Sequence, residues 1–534
     1  MATAVAVFIA FAASVGVSST AGATPTVTRT AAQAAGAGAR AAGCTNAHGT
    51  HRAHCYLAVA PANAPRASAR STTTCAVDES AGYTPCNLQA AYGLTKLSAS
   101  HGKGVTVAVV DPNDDPSAEA DLGVYRATYG LPKCTTKNGC FRKVDQDGVQ
   151  GSYPAADPGD AQEIALDIDM VSAVCPHCHI LLVEADSNGF GDLGTAENEA
   201  VTLGAKVVSN SWGTGEFDGE TGWDGDWDHP GVAITFSSGD AAYGGGVQYP
   251  SASPYVTSVG GTELTPATTT RGWTEAAWVT PGRPITQGSG SGCSAYEPKP
   301  AWQTDAGCAN RMTADVSAVA ADVLSYDTYG SGGWVYEFGT SVSSPITAAL
   351  YGLANNPGGA AIPASAAYAA RATTRHDITK GKTGACSPLY FCKAAKGYDG
   401  PTGLGSPHGI GEFVVPYVAP PTIDGVAFTG PTSAPTVTIS GSNLGATAPT
   451  GSAINCFGGD TGDTFGSTGL WFADTNASWT AGQAGDCIGI VLQSWSTTQV
   501  VFQLGNGYDH YQPIAHGDAI EVEAEGTTFG GFLP

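Results

Sequence analysis

Between residues 83 and 418 short apolar runs alternate with segments whose apolar residues recur at helical spacing. "GVTVAVVD" (104 to 111), "HILLVEA" (179 to 185), "AKVVSNSW" (205 to 212) and "GVAITFSSGD" (231 to 240) are rich in β-branched residues and bounded by turn formers, so each is predicted to be a strand. Helices are predicted around 160 to 174 and 193 to 203. Apolar strands separated by helices imply a parallel sheet covered on both faces, an α/β domain over 83–418. After "APP" at 419 to 421 the pattern changes to short alternating strands such as "PTVTISG" and "QVVFQLG" with glycine turns. This predicts an all-β, sandwich-like domain over 419–534. Residues 24–82 are rich in Ala, Thr and Arg without periodicity and read as a short pro-region or linker.

Composition narrows the setting. The chain has 534 residues, 42% of them hydrophobic, enough for about two to four domains with real cores. Lys and Arg total 23 against 47 Asp and Glu, a net charge of −24, which argues against nucleic acid or an anionic membrane as partner. Ala4 to Val17 is apolar but too short to span a bilayer, and with Ala21 and Ala23 following it suits a signal peptide over 1–23, although a positive n-region is missing. The 14 cysteines fall into sequential neighbours: Cys44 and Cys55, Cys75 and Cys86, Cys134 and Cys140, Cys175 and Cys178, Cys293 and Cys308, Cys386 and Cys392, Cys456 and Cys487. An even count in an exported chain reads as local disulfides, so a secreted, extracellular protein is expected.

Candidate chemistry begins with "FGTSVSSP" (338 to 345), a small-residue turn presenting Ser341 before a helical run. A serine hydroxyl needs a neighbouring base to become a nucleophile. "HGTH" (48 to 51) precedes the first sheet strand and the strand-end Asp111, the reverse of the subtilisin order, and His101, His177, His179, His229, His376 and His408 have no specifying context. A lipase-type elbow fails because 339 to 343 lack the second glycine. In "DAQEIALDIDM" (160 to 170), Glu163 and Asp167 stand four apart, on one helical face, with Asp160 nearby. Such a pair is either a solvated acidic face or a poised base whose two titrations are pushed apart. "SSGD" (237 to 240) ends a predicted strand at Asp240, where parallel sheets gather their sites.

Glu163, Asp167, Asp240 and Ser341 in that order, with "SNSWG" (209 to 213), "YPSASPYVTSVGGTEL" after Asp240 and "TADVSAVA" (313 to 320), resemble the sedolisin family of serine-carboxyl peptidases over roughly residues 83 to 407. The resemblance implies a subtilisin-like fold. It also implies Ser341 as nucleophile, Glu163 as general base, Asp167 as its orienter, and a protonated Asp240 donating to the oxyanion. "HDITKGK" (376 to 382) and "AAKGYDGPTGLGSP" (394 to 407) resemble the family's calcium loops, implying one structural Ca2+ held by Asp377 and Asp399 carboxylates and the carbonyls of Ile378, Ala395 and Gly397. "CPHCH" (175 to 179) also matches haem and half-zinc spacings, but a Cys175–Cys178 disulfide is simpler. The acidic stretch 216 to 230 either shapes substrate pockets through Trp223 and Trp227 or is a solvated loop, and the loop is the preferred reading. The expected function is a secreted, monomeric, acid-active endopeptidase or tripeptidyl-peptidase acting on proteins or peptides. The alternative is a catalytically idle binding protein whose β-domain attaches to polysaccharide or a cell surface.

Overall fold

The structure, a computed structural model, describes residues 40–41, 51–62, 82–280, 287–356, 361–416, 418–445, 448, 470–483, 487–515, 517–524 and 527–532. The expected signal segment and Cys44, Cys75 and Cys456 lie outside these residues. Strands β1 (Thr106–Pro112), β2 (Phe141–Asp145), β3 (His179–Ala185), β4 (Val207–Asn210), β5 (Ala233–Ser237), β6 (Thr257–Pro266), β7 (Trp273–Ala277) and β8 (Val316–Val319) form the central sheet. Its order is β7-β6-β5-β4-β1-β3-β2, with β8 also on β6. All pairings are parallel except β6 with β7.

The pleat explains the continuous apolar runs. In β1, Val107 and Val109 face one core, shared with α1 (Pro158–Val174) and α3 (Thr340–Ala354). Ala108 and Val110 face the other, shared with α2 (Phe190–Thr202). The start of α1 is set by Asp157, whose carboxylate accepts from the Gly159 and Asp160 N–H groups at 2.8 and 3.2 Å, with Pro158 in the first turn. From Gly159 to Val174 every residue of α1 is buried, so the solvated acidic face is excluded.

Residues 216–230, expected as a solvated loop, are largely exposed or half-buried, but Trp227 departs from that reading: it is fully buried in the second core and its indole N–H donates to the Tyr249 hydroxyl at 2.8 Å. Part of the expected linker is likewise ordered against the sheet domain. Strand His54–Cys55 pairs with Trp212–Gly215, and Ala58–Pro61 pairs with Gly333–Phe338. Disulfides join Cys134 to Cys140, Cys175 to Cys178, Cys293 to Cys308 and Cys386 to Cys392, as their spacing suggested. Cys55, Cys86 and Cys487 are also disulfide-bonded.

Among the described residues the C-terminal region forms two four-stranded antiparallel sheets. They enclose Val437, Ile439, Phe472, Val500, Phe502 and Val522, the alternating apolar positions of their strands. Among the described residues no helix is long and apolar enough to cross a membrane.

Candidate active site

The chain enters α3 through Gly339, at φ 137°. A Cβ there would lie 2.0 Å from the Tyr56 carbonyl oxygen and 2.5 Å from Asp240 Oδ2, so only glycine fits the turn. Thr340 follows, and its N–H and hydroxyl donate to Asp240 Oδ1 at 2.7 and 2.9 Å. Burial pushes the Asp240 carboxyl up to about 8, against these two hydrogen bonds, which favour the charged form. With Oδ1 engaged as an acceptor, Oδ2 is the oxygen left to carry the proton, and it and the Tyr56 carbonyl oxygen both border Gly339.

Ser341 is fully buried in the first turn of α3. Its hydroxyl donates to the Ser211 carbonyl at 3.2 Å, and its N–H points to the Tyr56 carbonyl at 3.4 Å. Glu163 and Asp167 approach from α1, which packs directly on α3. The Ser211 hydroxyl reaches both Asp167 oxygens, at 2.9 and 2.8 Å. Neither Glu163 oxygen has a partner at hydrogen-bond geometry, although Ser341 is near enough to favour the ionised form of Glu163. The structure thus gathers all four expected residues, with Asp167 held by Ser211 rather than by Glu163.

Asp111 joins them. In the sequence it stands out only as a strand end, yet it is fully buried at the C-terminal end of β1 and both its oxygens lack hydrogen-bond partners. That location was the available signal. Burial raises all three carboxyls of Asp111, Glu163 and Asp167 well above the carboxylate range. The charge of Asp167 pushes Asp111 and Glu163 further up, and Asp111 also acts on Glu163, while the Ser211 hydroxyl opposes the shift at Asp167. Three desolvated carboxyls cannot all ionise together, so the cluster keeps protons where isolated carboxyls would have lost them.

The cleft over this cluster contains part of the chain itself. His54 and Cys55 pair antiparallel with Gly213 and Trp212, and the Tyr56 N–H donates to the Ser211 carbonyl at 3.3 Å. Residues Ala58–Pro61 continue along Gly333–Phe338 on the far side of Ser341. Arg52, His54, Asp111, Asp160 and Glu163 line the remaining opening.

At the expected calcium loops, Asp377 accepts from the Gly397 N–H at 3.1 and 3.3 Å, and Asp399 Oδ2 from the Ala395 N–H at 2.8 Å. Asp399 is fully buried; burial, and in smaller part the charge of Asp377, push it up to about 7. Among the described residues no group of three or more His, Cys, Asp or Glu side chains is placed to hold a metal. The two carboxylates, with Asp399 raised in part by the charge of Asp377, supply hard oxygen donors of the kind a calcium ion takes.

The Subtilase family matches residues 153–390, a span holding Glu163, Asp167, Asp240 and Ser341. The chain is 28% identical to kumamolisin of Bacillus sp. (strain MN-32) over 362 residues, 61% of this chain and 62% of that protein. It is 27% identical to sedolisin of Pseudomonas sp. (strain 101) over 411 residues, 66% of this chain and 63% of that protein. It therefore spans less than two thirds of the length of these relatives. The crystallised Pseudomonas sedolisin, a serine-carboxyl proteinase complexed with two molecules of pseudo-iodotyrostatin, shares the fold at TM-score 0.51 and 26% identity, covering 61% of this chain and 95% of that one.

Proposed function

From its similarity to kumamolisin and sedolisin, we propose that this chain is a serine-carboxyl peptidase of the sedolisin family that hydrolyses peptide bonds with Ser341 as nucleophile and Glu163 as general base. The Ser341 oxygen attacks the carbonyl carbon while Glu163 takes its proton. Asp167, one turn along the same helix, is the orienter of Glu163, and its charge helps hold the Glu163 carboxyl up. The charge developing on the carbonyl oxygen is met by the Ser341 N–H and by the protonated Oδ2 of Asp240. When the C–N bond breaks, Glu163 returns the proton to the leaving amine. Water, deprotonated in turn by Glu163, then releases the acyl group from Ser341.

The observation that carries this reading is the Tyr56 carbonyl. It is a peptide carbonyl that accepts from the Ser341 N–H and borders Gly339 together with Asp240 Oδ2, at the head of the helix that packs on the Glu163 helix. The mechanism needs a protonated Asp240 and one ionised member of the Asp111, Glu163 and Asp167 cluster. Activity is therefore confined to pH below the ionisation of Asp240, near pH 8. Calcium fits as a structural ion: Asp377 and Asp399 would hold it with the carbonyls of Ile378, Ala395 and Gly397, its charge offsetting the repulsion between the two carboxylates. Secretion, a monomeric state and action on extracellular proteins complete the proposal.

The rival is an idle binding protein, favoured by the strand in the cleft and by the Ser341 hydroxyl pointing to Ser211 rather than to Glu163. Incubating the purified chain and its Ser341→Ala variant with denatured haemoglobin or casein from about pH 3 to about pH 8 separates the two. Cleavage by the parent alone supports the peptidase. No cleavage at any pH by folded protein sinks it.

A further inference from the structure

The strand in the cleft reports what the site accepts. His54 to Tyr56 run antiparallel to Ser211–Gly213, Tyr56 has its carbonyl on the Ser341 N–H, and Ala58–Pro61 lies beyond. A substrate attacked by Ser341 would have to lie in this way, so the bond presented to Ser341 is Tyr56–Leu57.

The Tyr56 side chain is 4% exposed and fills a pocket beneath Gly213. A Cβ on Gly213 would come within 2.6 Å of the phenol oxygen, so this glycine opens the space. The ring lies edge-on to His54, with centroids 4.9 Å apart. At the pocket floor the phenol hydroxyl donates to Gln248 Oε1 at 2.8 Å. The Gln248 amide cannot turn freely, because its Nε2 donates to the carbonyls of Gly245, Gly246 and Val247, each at 3.2 Å. The buried oxygen that remains is an acceptor, and it needs a hydroxyl or N–H donor from the occupant.

Resting on the peptidase reading above, we propose that this pocket selects tyrosine on the acyl side of the cleaved bond and that Gln248 is its specificity-determining residue. Phenylalanine fits the same walls but leaves Oε1 buried and unpaired. Small aliphatic side chains leave the pocket part empty, and a carboxylate would face an acceptor oxygen.

The test uses the full chain and two peptides identical except for Tyr or Phe at the acyl position, with kcat/KM measured for each. The Tyr peptide is expected to be cleaved about 10-fold to 100-fold more efficiently, the usual penalty for stranding one buried acceptor. Gln248→Leu removes the acceptor and should bring the ratio to about one or invert it. The ratio is internal to each protein, so a general loss of activity in the variant does not disturb it. If Gln248→Leu is too unstable to assay, Gln248→Met serves with the same expectation. Equal cleavage of the two peptides by the parent, or an unchanged ratio in the variant, overturns the assignment of Gln248. Failure to cleave either peptide, or casein, overturns instead the peptidase reading on which it rests.

Discussion

The sharpest test of the proposed chemistry is Asp240→Asn. The mechanism asks Asp240 to donate a hydrogen bond, which a carboxylate cannot do. Burial lifts this group from 3.8 to about 8, a bias toward the neutral form on the order of 6 kcal/mol relative to water. The parent should therefore lose activity on an alkaline limb centred near pH 8, about tenfold per pH unit beyond it. Asparagine keeps a neutral donor that does not ionise, so the variant should be slower through imperfect placement, with its alkaline limb moved up or removed. Asp240→Ala removes the donor and should cost about 10²-fold to 10³-fold in turnover at pH well below 8, close to the loss of one oxyanion donor, with the difference from the parent narrowing as Asp240 ionises. The assay is kcat/KM on one peptide across pH, with near-UV circular dichroism confirming the fold at each point. If Asp240→Asn falls off at the same upper pH as the parent while still folded, Asp240 is not the titrating donor and the oxyanion assignment fails.

Other expectations are equally direct. Gly339→Ala should abolish activity because its Cβ would occupy the position of the substrate carbonyl, 2.0 Å from the Tyr56 oxygen; retained activity would refute the register of the cleft. If the chain cuts itself on acidification, the new N-terminus should be Leu57, with Ser341→Ala remaining intact, and sequencing that finds a different junction contradicts the presented bond. Chelation should lower the melting temperature, since an ion bound only by the native state adds stability. An unchanged melting curve, with calcium absent from the protein by elemental analysis, removes Asp377 and Asp399 as ligands. Glu197 is fully buried, and burial raises it from 4.5 to about 8. Its native state holds a proton that the unfolded chain gives up, so the Glu197 contribution is present below about pH 4.5 and is lost as pH rises toward 8. Glu197→Gln should therefore leave stability at low pH nearly unchanged and raise it at pH 7 by a few kcal/mol, on the order of 3. Melting temperatures that rise with pH in the parent, or a variant that gains equally at all pH, would contradict this.

Much of the molecule was legible in the residue pattern. β-branched runs bounded by turn formers mark β1, β3, β4 and β5 because strand and turn preferences are local. Glu163 and Asp167 share a helical face through their spacing alone, and Ser341 follows a glycine turn that admits no side chain. Nearest-neighbour cysteines pair where loops are short, as at Cys134 with Cys140 and Cys386 with Cys392. What the pattern could not carry is contact across long separations and the loss of water that goes with it. Asp240 meets Thr340 across 100 residues, and Tyr56 meets Gln248 across 192. Asp111 enters the carboxyl cluster only because β1 ends beside α1, and residues 51–62 find their place through pairing with strands far along the chain and burial of Leu57 and Val59 in a core those strands build. Trp227 looked solvated among acidic neighbours, yet the core beneath it offered more apolar area than those neighbours could oppose. Protonation is decided last of all: a carboxylate in the sequence becomes a hydrogen-bond donor at Asp240 only when folding strips its water, and that burial exists nowhere but in the tertiary structure.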